Sequence, residues 1–392
     1  MPSTITARNL ITDIGVVAFP VITLDDAGNI REIASDPNAL SDSTDTLTAA
    51  FFDVHTHGGV GVDVMQASAA DLSKLQRFYA QHGVSQYLPT TVTAPIDSTL
   101  RALEALADAI ESTPREQEAR PMGIHLEGPF LSHAKRGVHP PPDLQAPSIQ
   151  LFDRFQTAAR GHIQLITIAP EPNAALKPAA DGTAIDLIRH AASQGVRVSL
   201  GHTNATAAET LPAIDAGATS ATHTYNAMRA LDHREPGVLG TVLDNPNLFA
   251  ELICDGVHVA PPLIRLWLKA KTPQRALLVT DSMSAAGMSD GIYKLGNFDV
   301  TVKNGIAWLI EGERTSLAGS LLTLDRAVAN LQAFTSAPLA DATHMASHTP
   351  AAMLGRPEAT RITLGAPANL NRFDAQNKLT ATYIRGQRVP IS

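Results

Sequence analysis

From Ala50 onward the chain repeats one pattern eight times, a short apolar run followed by a stretch with helical periodicity. The runs are Ala50–His57, Gln86–Val92, Met122–Glu127, Ile163–Pro170, Val196–His202, Ala218–His223, Ala250–Cys254 and Ala276–Asp281. Each ends near polar residues or glycine. Alternating strand and helix signals imply βα units around a parallel sheet, and eight such units close a barrel. The expected fold is therefore α/β, a (β/α)8 TIM-type barrel, and a barrel absorbs most of a 392-residue chain.

The segments between the runs carry helix punctuation. Ser68-Ala-Ala-Asp71 and Thr206-Ala-Ala-Glu209 read as capping boxes, with Gly83 and Gly217 as stops. Leu72, Leu75 and Tyr79 supply the buried stripe of the first helix, Leu211 and Ile214 that of the second. The two ends of the chain read differently. Val21–Leu24 and Ile30–Ile33 flank a turn, and Ala368–Phe373 and Leu379–Ile384 are also strand-like. Residues 1–50 and 359–392 are thus expected to join into a small β-sandwich domain beside a barrel of residues 51–358. Asn304-Gly305 predicts a further hairpin between Phe298–Lys303 and Ile306–Ile310.

Composition narrows the function. The net charge is −8 and no long basic run occurs, which argues against nucleic acid as a partner. Cys254 is the only cysteine, so an intrachain disulfide and a cysteine-based zinc cluster are both excluded, and the cytoplasm fits best. Met1 to Ile14 carries neither a basic leader nor an apolar core, and no stretch of about 18 apolar residues suggests a membrane span.

In such a barrel, chemistry belongs at the C-terminal ends of the strands. His55 and His57 end the first run, His125 and Glu127 the third, His202 the fifth, His223 the sixth and Asp281 the eighth. Residues two apart on a strand share a face, so His55 and His57 can approach one cation. Glu127, His202 and His223 make a carboxylate and two imidazoles, a catalytic metal complement that leaves a position open for water. Asp281 is placed to take a proton from water activated there and deliver it to a leaving nitrogen. His125 is read as a support for these ligands. Any one of these residues alone would be an ordinary hydrogen-bonded structural group; their joint placement carries the argument.

After the third run, residues 128–140 form a polar loop in which His139 can donate to an oxyanion. Asn226 with the backbone N–H of Ala227, together with Arg234 and His258, offers a donor set suited to phosphate. Taken alone, an arginine near a turn such as Arg234 is more often a surface salt-bridge former.

Several segments resemble the N-acetylglucosamine-6-phosphate deacetylases of the amidohydrolase superfamily. They include Asp53-Val-His-Thr-His-Gly-Gly59, Gly123-Ile-His-Leu-Glu-Gly-Pro-Phe130, Gly201-His-Thr-Asn-Ala-Thr206 and Thr222-His-Thr-Tyr-Asn-Ala-Met228. Arg234-Glu-Pro-Gly237, Asp255-Gly-Val-His258 and Val279-Thr-Asp281 continue the series in order. The resemblance implies a divalent metal, zinc first with Fe2+, Mn2+ or Co2+ as alternatives, held by Glu127, His202 and His223. His55 and His57 would add a second ion, giving one or two per subunit. It implies Asp281 as acid/base, and sugar and phosphate recognition by His139, Asn226, Ala227, Arg234 and His258. Leu317, Ala318 and Gly319 would lie against the acetyl group and sugar. The implied partner is a small amino sugar phosphate, and the implied assembly a homodimer in which Arg234 reaches a neighbour's phosphate. The alternatives are an N-acetylgalactosamine-6-phosphate deacetylase or another amidohydrolase, and, outside enzymes, a sugar-phosphate-binding barrel.

Overall fold

The computed structural model of the protein describes residues 3–39, 44–113, 115–172, 175–177, 179, 181–296, 298–311 and 314–390. Residues 1–2, 40–43 and 391–392 of the two terminal segments therefore lie outside the described residues. Eight parallel strands form the barrel: β1 (Phe51–Thr56), β2 (Val84–Thr91), β3 (Ile124–Glu127), β4 (Ile163–Ile168), β5 (Arg197–Leu200), β6 (Ala218–Ala221), β7 (Phe249–Ile253) and β8 (Ala276–Val279). Neighbours pair in sequence order from β1 to β8. The ring closes just past the ends of β8 and β1. There Asp281 N donates to His55 O at 2.8 Å and His57 N to Ser282 O at 2.8 Å. Asp53 reinforces the closure, its Oδ2 accepting from Thr280 Oγ1 at 2.6 Å.

The strands are apolar because both faces are covered, the inner by side chains and the outer by helices. Leu75, Leu88, Ile124, Leu165, Leu252 and Leu278 all belong to one continuous core. Both capping boxes form: Ser68 and Asp71 start helix Ala69–Gln81, and Thr206 and Glu209 start helix Ala207–Asp215. Leu72, Leu75 and Tyr79 are buried as expected. Leu211 is not; it is 53% exposed, because helix Ala207–Asp215 turns Thr210 and Ala213 to the core instead. Position 211 lies about 100° of helical rotation from its neighbour Thr210, enough to carry it off the narrow buried face of a nine-residue helix.

The terminal segments interleave. A six-stranded sheet orders Gln387–Val389, Leu379–Ile384, Leu370–Phe373, Thr46–Ala49, Asn9–Thr12 and Gly15–Ala18. A three-stranded sheet of Thr4–Thr6, Pro20–Leu24 and Ile30–Ser35 shares an apolar core with it through Leu10, Ile22, Leu47 and Leu370. The hairpin around Asn304 and Gly305, both at positive φ, belongs to a four-stranded sheet running from Gly291 to Leu317. That sheet follows β8 and packs Val300 and Leu309 against Val138 of the loop after β3. No helix of the described residues is long and apolar enough to cross a membrane.

Candidate active site

The polar strand ends converge on Glu127. His202 Nε2 lies 3.4 Å and His223 Nε2 3.3 Å from its Oε1, and His57 Nε2 lies 3.3 Å from its Oε2. His55 Nε2 is 3.6 Å from Oε1, and His139 Nε2 is 3.7 Å from Oε2. Asp281 faces the same point, its Oδ1 lying 3.2 Å from His57 Nε2 and 3.6 Å from His55 Nε2. Five imidazoles and two carboxylates thus share one buried centre.

Strand geometry places the first pair; strained backbone places the rest. His55 and His57 lie at the end of β1 and beyond it, where alternation sends both rings inward. His202, His223 and Asp281 each sit two residues past their strands, with φ of 46°, 29° and 49°. Each such non-glycine conformation costs on the order of 1–3 kcal/mol and persists only where the surroundings enforce it. Here it turns three side chains from the strand direction into the mouth. Gly128 is required for a related reason. Its φ is +77°, and a Cβ would meet Thr93 Oγ1 at 2.2 Å, in the contact that holds His139.

Three of the five rings are oriented from behind by an acceptor at Nδ1, while His223 Nδ1 has no partner among the described residues. His57 Nδ1–H donates to Thr90 O at 2.9 Å, His202 Nδ1–H to Lys135 O at 2.9 Å, and His55 Nδ1–H to Glu251 Oε2 at 3.0 Å. His139 is held the other way. Thr93 N–H donates to its Nδ1 at 3.3 Å, so the proton sits on Nε2, facing Glu127. Burial, and then the charge of His202, hold the His139 pKa well below the usual value, leaving this ring neutral.

For His57 burial opposes charge, yet Asp281 and Glu127 outweigh it and raise the pKa to about 9. The carboxylates respond in kind. Burial would raise Asp281, but His55 and His57 hold it well below the usual range. Glu127 behaves alike, with His55 the leading opponent of burial.

The donor set fits a divalent cation. His55 Nε2 and Glu127 Oε1 are buried with no hydrogen-bond partner among the described residues. His202 Nε2 and His223 Nε2 approach to 3.0 Å, so two ring nitrogens converge on one point beside Glu127 where a cation would engage both. Two groups, His55–His57–Glu127 and Glu127–His202–His223, each bring their ligand atoms within 4.8 Å of one another. Glu127 belongs to both.

The centre opens onto a cavity of about 320 Å³ lined by His139, Asn226, Ala227, His258, Leu317 and Gly319 as well. His258 is aimed by Asp255, whose Oδ2 accepts from Nδ1–H at 2.6 Å and so leaves Nε2 as the free ring nitrogen. Two residues expected to bind substrate do not line the cavity, nor does the deeper His55. Ala318 is fully buried and packs with Met283 and Val300, because alternation past the strand turns it away from Leu317 and Gly319. Arg234 is exposed, in the loop between β6 and helix Gly237–Asp244.

His125 does not reach the centre. Its Nε2 bonds Thr167 Oγ1 at 2.8 Å, and its ring packs edge-on against His55 with centroids 4.6 Å apart. Sequence reasoning missed Glu251, although a carboxylate inside the apolar run Phe249–Ile253 is a signal, since buried charges are rare unless partnered. From the polar loop 128–140, Lys135 also lines the cavity.

A sequence profile of the amidohydrolase family matches residues 46–389. An N-acetylgalactosamine-6-phosphate deacetylase of Escherichia coli O157:H7 is 37% identical over 356 residues, 91% of this chain and 90% of the relative. An N-acetylglucosamine-6-phosphate deacetylase of Bacillus subtilis (strain 168) is 34% identical, covering 88% of this chain and 85% of the relative. Among solved structures, a mutant N-acetyl-D-glucosamine-6-phosphate deacetylase from Mycobacterium smegmatis, in complex with N-acetyl-D-glucosamine-6-phosphate, superposes with a TM-score of 0.90. It is 32% identical, and the match covers 99% of both chains.

Proposed function

The chain belongs to the amidohydrolase family, and from that membership and the cavity's geometry we propose that it deacetylates N-acetyl-D-glucosamine 6-phosphate. The products are D-glucosamine 6-phosphate and acetate, in amino sugar catabolism and recycling. The observation that carries this reading is the convergence of His57, His202 and His223 on Glu127, with Asp281 3.2 Å from the nearest ring.

Glu127, His202 and His223 would hold a divalent cation, with His55 and His57 for a second, and such a cation would supply Lewis-acid chemistry for the acetamide carbonyl and for water. Zinc suits this nitrogen-rich set, with Fe2+, Mn2+ and Co2+ as alternatives. Asp281, ionised and oriented by His57, accepts the proton of the attacking water. The water oxygen bonds to the carbonyl carbon, and His139 donates from Nε2–H to the oxygen that gains charge. Asp281 then passes its proton to nitrogen as the C–N bond breaks, so the amine departs neutral. Thr93 keeps His139 in the donor tautomer throughout.

Asn226, the Ala227 backbone and His258 line the side of the cavity suited to the phosphate, and Leu317 and Gly319 the side suited to the sugar and acetyl group. Arg234, exposed outside the cavity, serves the phosphate of a neighbouring subunit in a homodimer. The buried lone Cys254 suits a reducing cytoplasm. The division into a barrel of residues 51–358 and a terminal β domain of 1–50 and 359–392 completes the reading.

One observation favours a second epimer, the 37% identity to an N-acetylgalactosamine-6-phosphate deacetylase. Steady-state turnover of metal-analysed protein on both N-acetylhexosamine 6-phosphates and their unphosphorylated forms separates the readings. The gluco phosphate is expected to have the highest kcat/KM. A higher value for the galacto phosphate exchanges the epimer, and equal rates without phosphate remove the anion site.

A further inference from the structure

Glu251 stands in β7, fully buried, and the scheme above makes no use of it. A single oxygen, Oε2, accepts from His55 Nδ1–H at 3.0 Å and from the backbone N–H of His223 at 3.1 Å. Its backbone carbonyl accepts from Thr224 N at 2.9 Å, fixing the residue that follows His223. The carboxylate therefore reaches one residue from each of the two ligand-competent groups.

A buried carboxylate is costly unless its charge is compensated. What Glu251 does in return follows from the chemistry of imidazole. An anion at Nδ1 keeps the ring proton there, so the lone pair of His55 stays on Nε2, which faces Glu127 and Asp281 at 3.6 Å each. At His223 the same oxygen anchors the N–H of a residue at φ 29°, the conformation that swings its ring to 3.0 Å from His202. The rings of His57 and His202 are oriented instead by neutral carbonyls, those of Thr90 and Lys135. Among the described residues, Glu251 is the carboxylate behind a ligand-competent imidazole.

We propose that Glu251 is a positioning residue that fixes His55 as an Nε2 ligand and so sets the cation affinity of the His55–His57–Glu127 group. This rests on the reading that the two groups hold divalent cations. The test is titration of Zn2+ into the demetallated full-length protein, following affinity and stoichiometry for the wild type, Glu251→Gln, His55→Asn and the double variant. Thermal unfolding without metal checks the fold. Glu251→Gln is expected to weaken one zinc by about 10-fold or more, the usual effect of losing a ligand's orienting partner. In the His55→Asn background it should add nothing, which a merely structural role would not produce. If Glu251→Gln does not fold, Glu251→Asp, which keeps the charge one methylene short, carries the same comparison.

Zinc binding by Glu251→Gln as tight as wild type, or equal weakening with and without His55, overturns the proposal. So does a wild-type protein whose zinc is indifferent to His55→Asn, an outcome that leaves the deacetylase reading standing. A wild-type protein that takes up no zinc, Fe2+, Mn2+ or Co2+ removes both.

Discussion

The protein contains two clusters of imidazoles with opposite character, one buried and one half-buried. At the barrel mouth, His55, His57 and His223 face Glu127 and Asp281, and those carboxylates raise their pKa values against the effect of burial. At the seam with the terminal sheets, His344 and His348 pack ring to ring with centroids 5.2 Å apart. They line a cavity shared with Asp13 and Thr48, and Thr360 Oγ1 bonds His348 at 3.1 Å. Among the described residues no carboxylate bonds His348, and partial burial, with His344 beside it, outweighs the charge of Asp13 and lowers its pKa to about 4. Partial burial beside a second imidazole therefore keeps His348 neutral; convergent carboxylates make a place that attracts positive charge. The first cluster suits a cation, the second a packed interface.

Removing a group from the mouth should sharpen this difference most. Asp281→Asn is expected to fold, retain metal and lose about 10³-fold or more in kcat, since proton transfer is removed. Near-normal turnover with metal bound would reassign the acid/base role. His139→Gln is expected to lower kcat by about 10²-fold, with a smaller change in KM, because its donor acts on charge that develops during the reaction. As His139 is held neutral by burial and His202, its protonation should not set the acid limb of the activity profile.

The seam cluster should respond to pH through stability. Between the ordinary histidine value near 6.5 and about 4, the unfolded chain binds a proton that folded His348 does not. Stability should thus fall as pH drops through that window, and His348→Gln should flatten the decline. Melting temperatures of the two proteins at pH 5 and 7.5 read this directly; parallel declines would place the titration elsewhere. The smallest effect concerns the scaffold. Leu211→Ala, at an exposed position, should change stability by less than about 0.5 kcal/mol, whereas Leu75→Ala in the core should cost about 2–5 kcal/mol.

Much of this was legible in the chain. The eight runs mark the eight strands because a parallel barrel buries both faces of each, and the strand-end histidines stand out because polar groups there have no packing role. The limits are physical too. Leu211 was misread because a nine-residue helix buries a narrow stripe, and the neighbouring Thr210 and Ala213 fill it. Arg234 matched a motif, but it lies exposed outside the cavity, and a motif does not state which way a loop turns. Glu251 was passed over inside an apolar run, although its charge there was the clue. The left-handed backbone at His202, His223 and Asp281 has no sequence signature at all, since non-glycine residues reach it only under tertiary constraint.

The central claim is that Glu127 gathers the cation on which deacetylation depends. It is tested most directly by measuring acetate released from N-acetyl-D-glucosamine 6-phosphate by protein stripped with a chelator and then reloaded with Zn2+, beside Glu127→Gln treated identically. Wild type should be silent when stripped and recover on reloading, while Glu127→Gln binds little zinc and stays silent in both states. Acetate release by the stripped wild type, or full recovery by Glu127→Gln, would contradict the account.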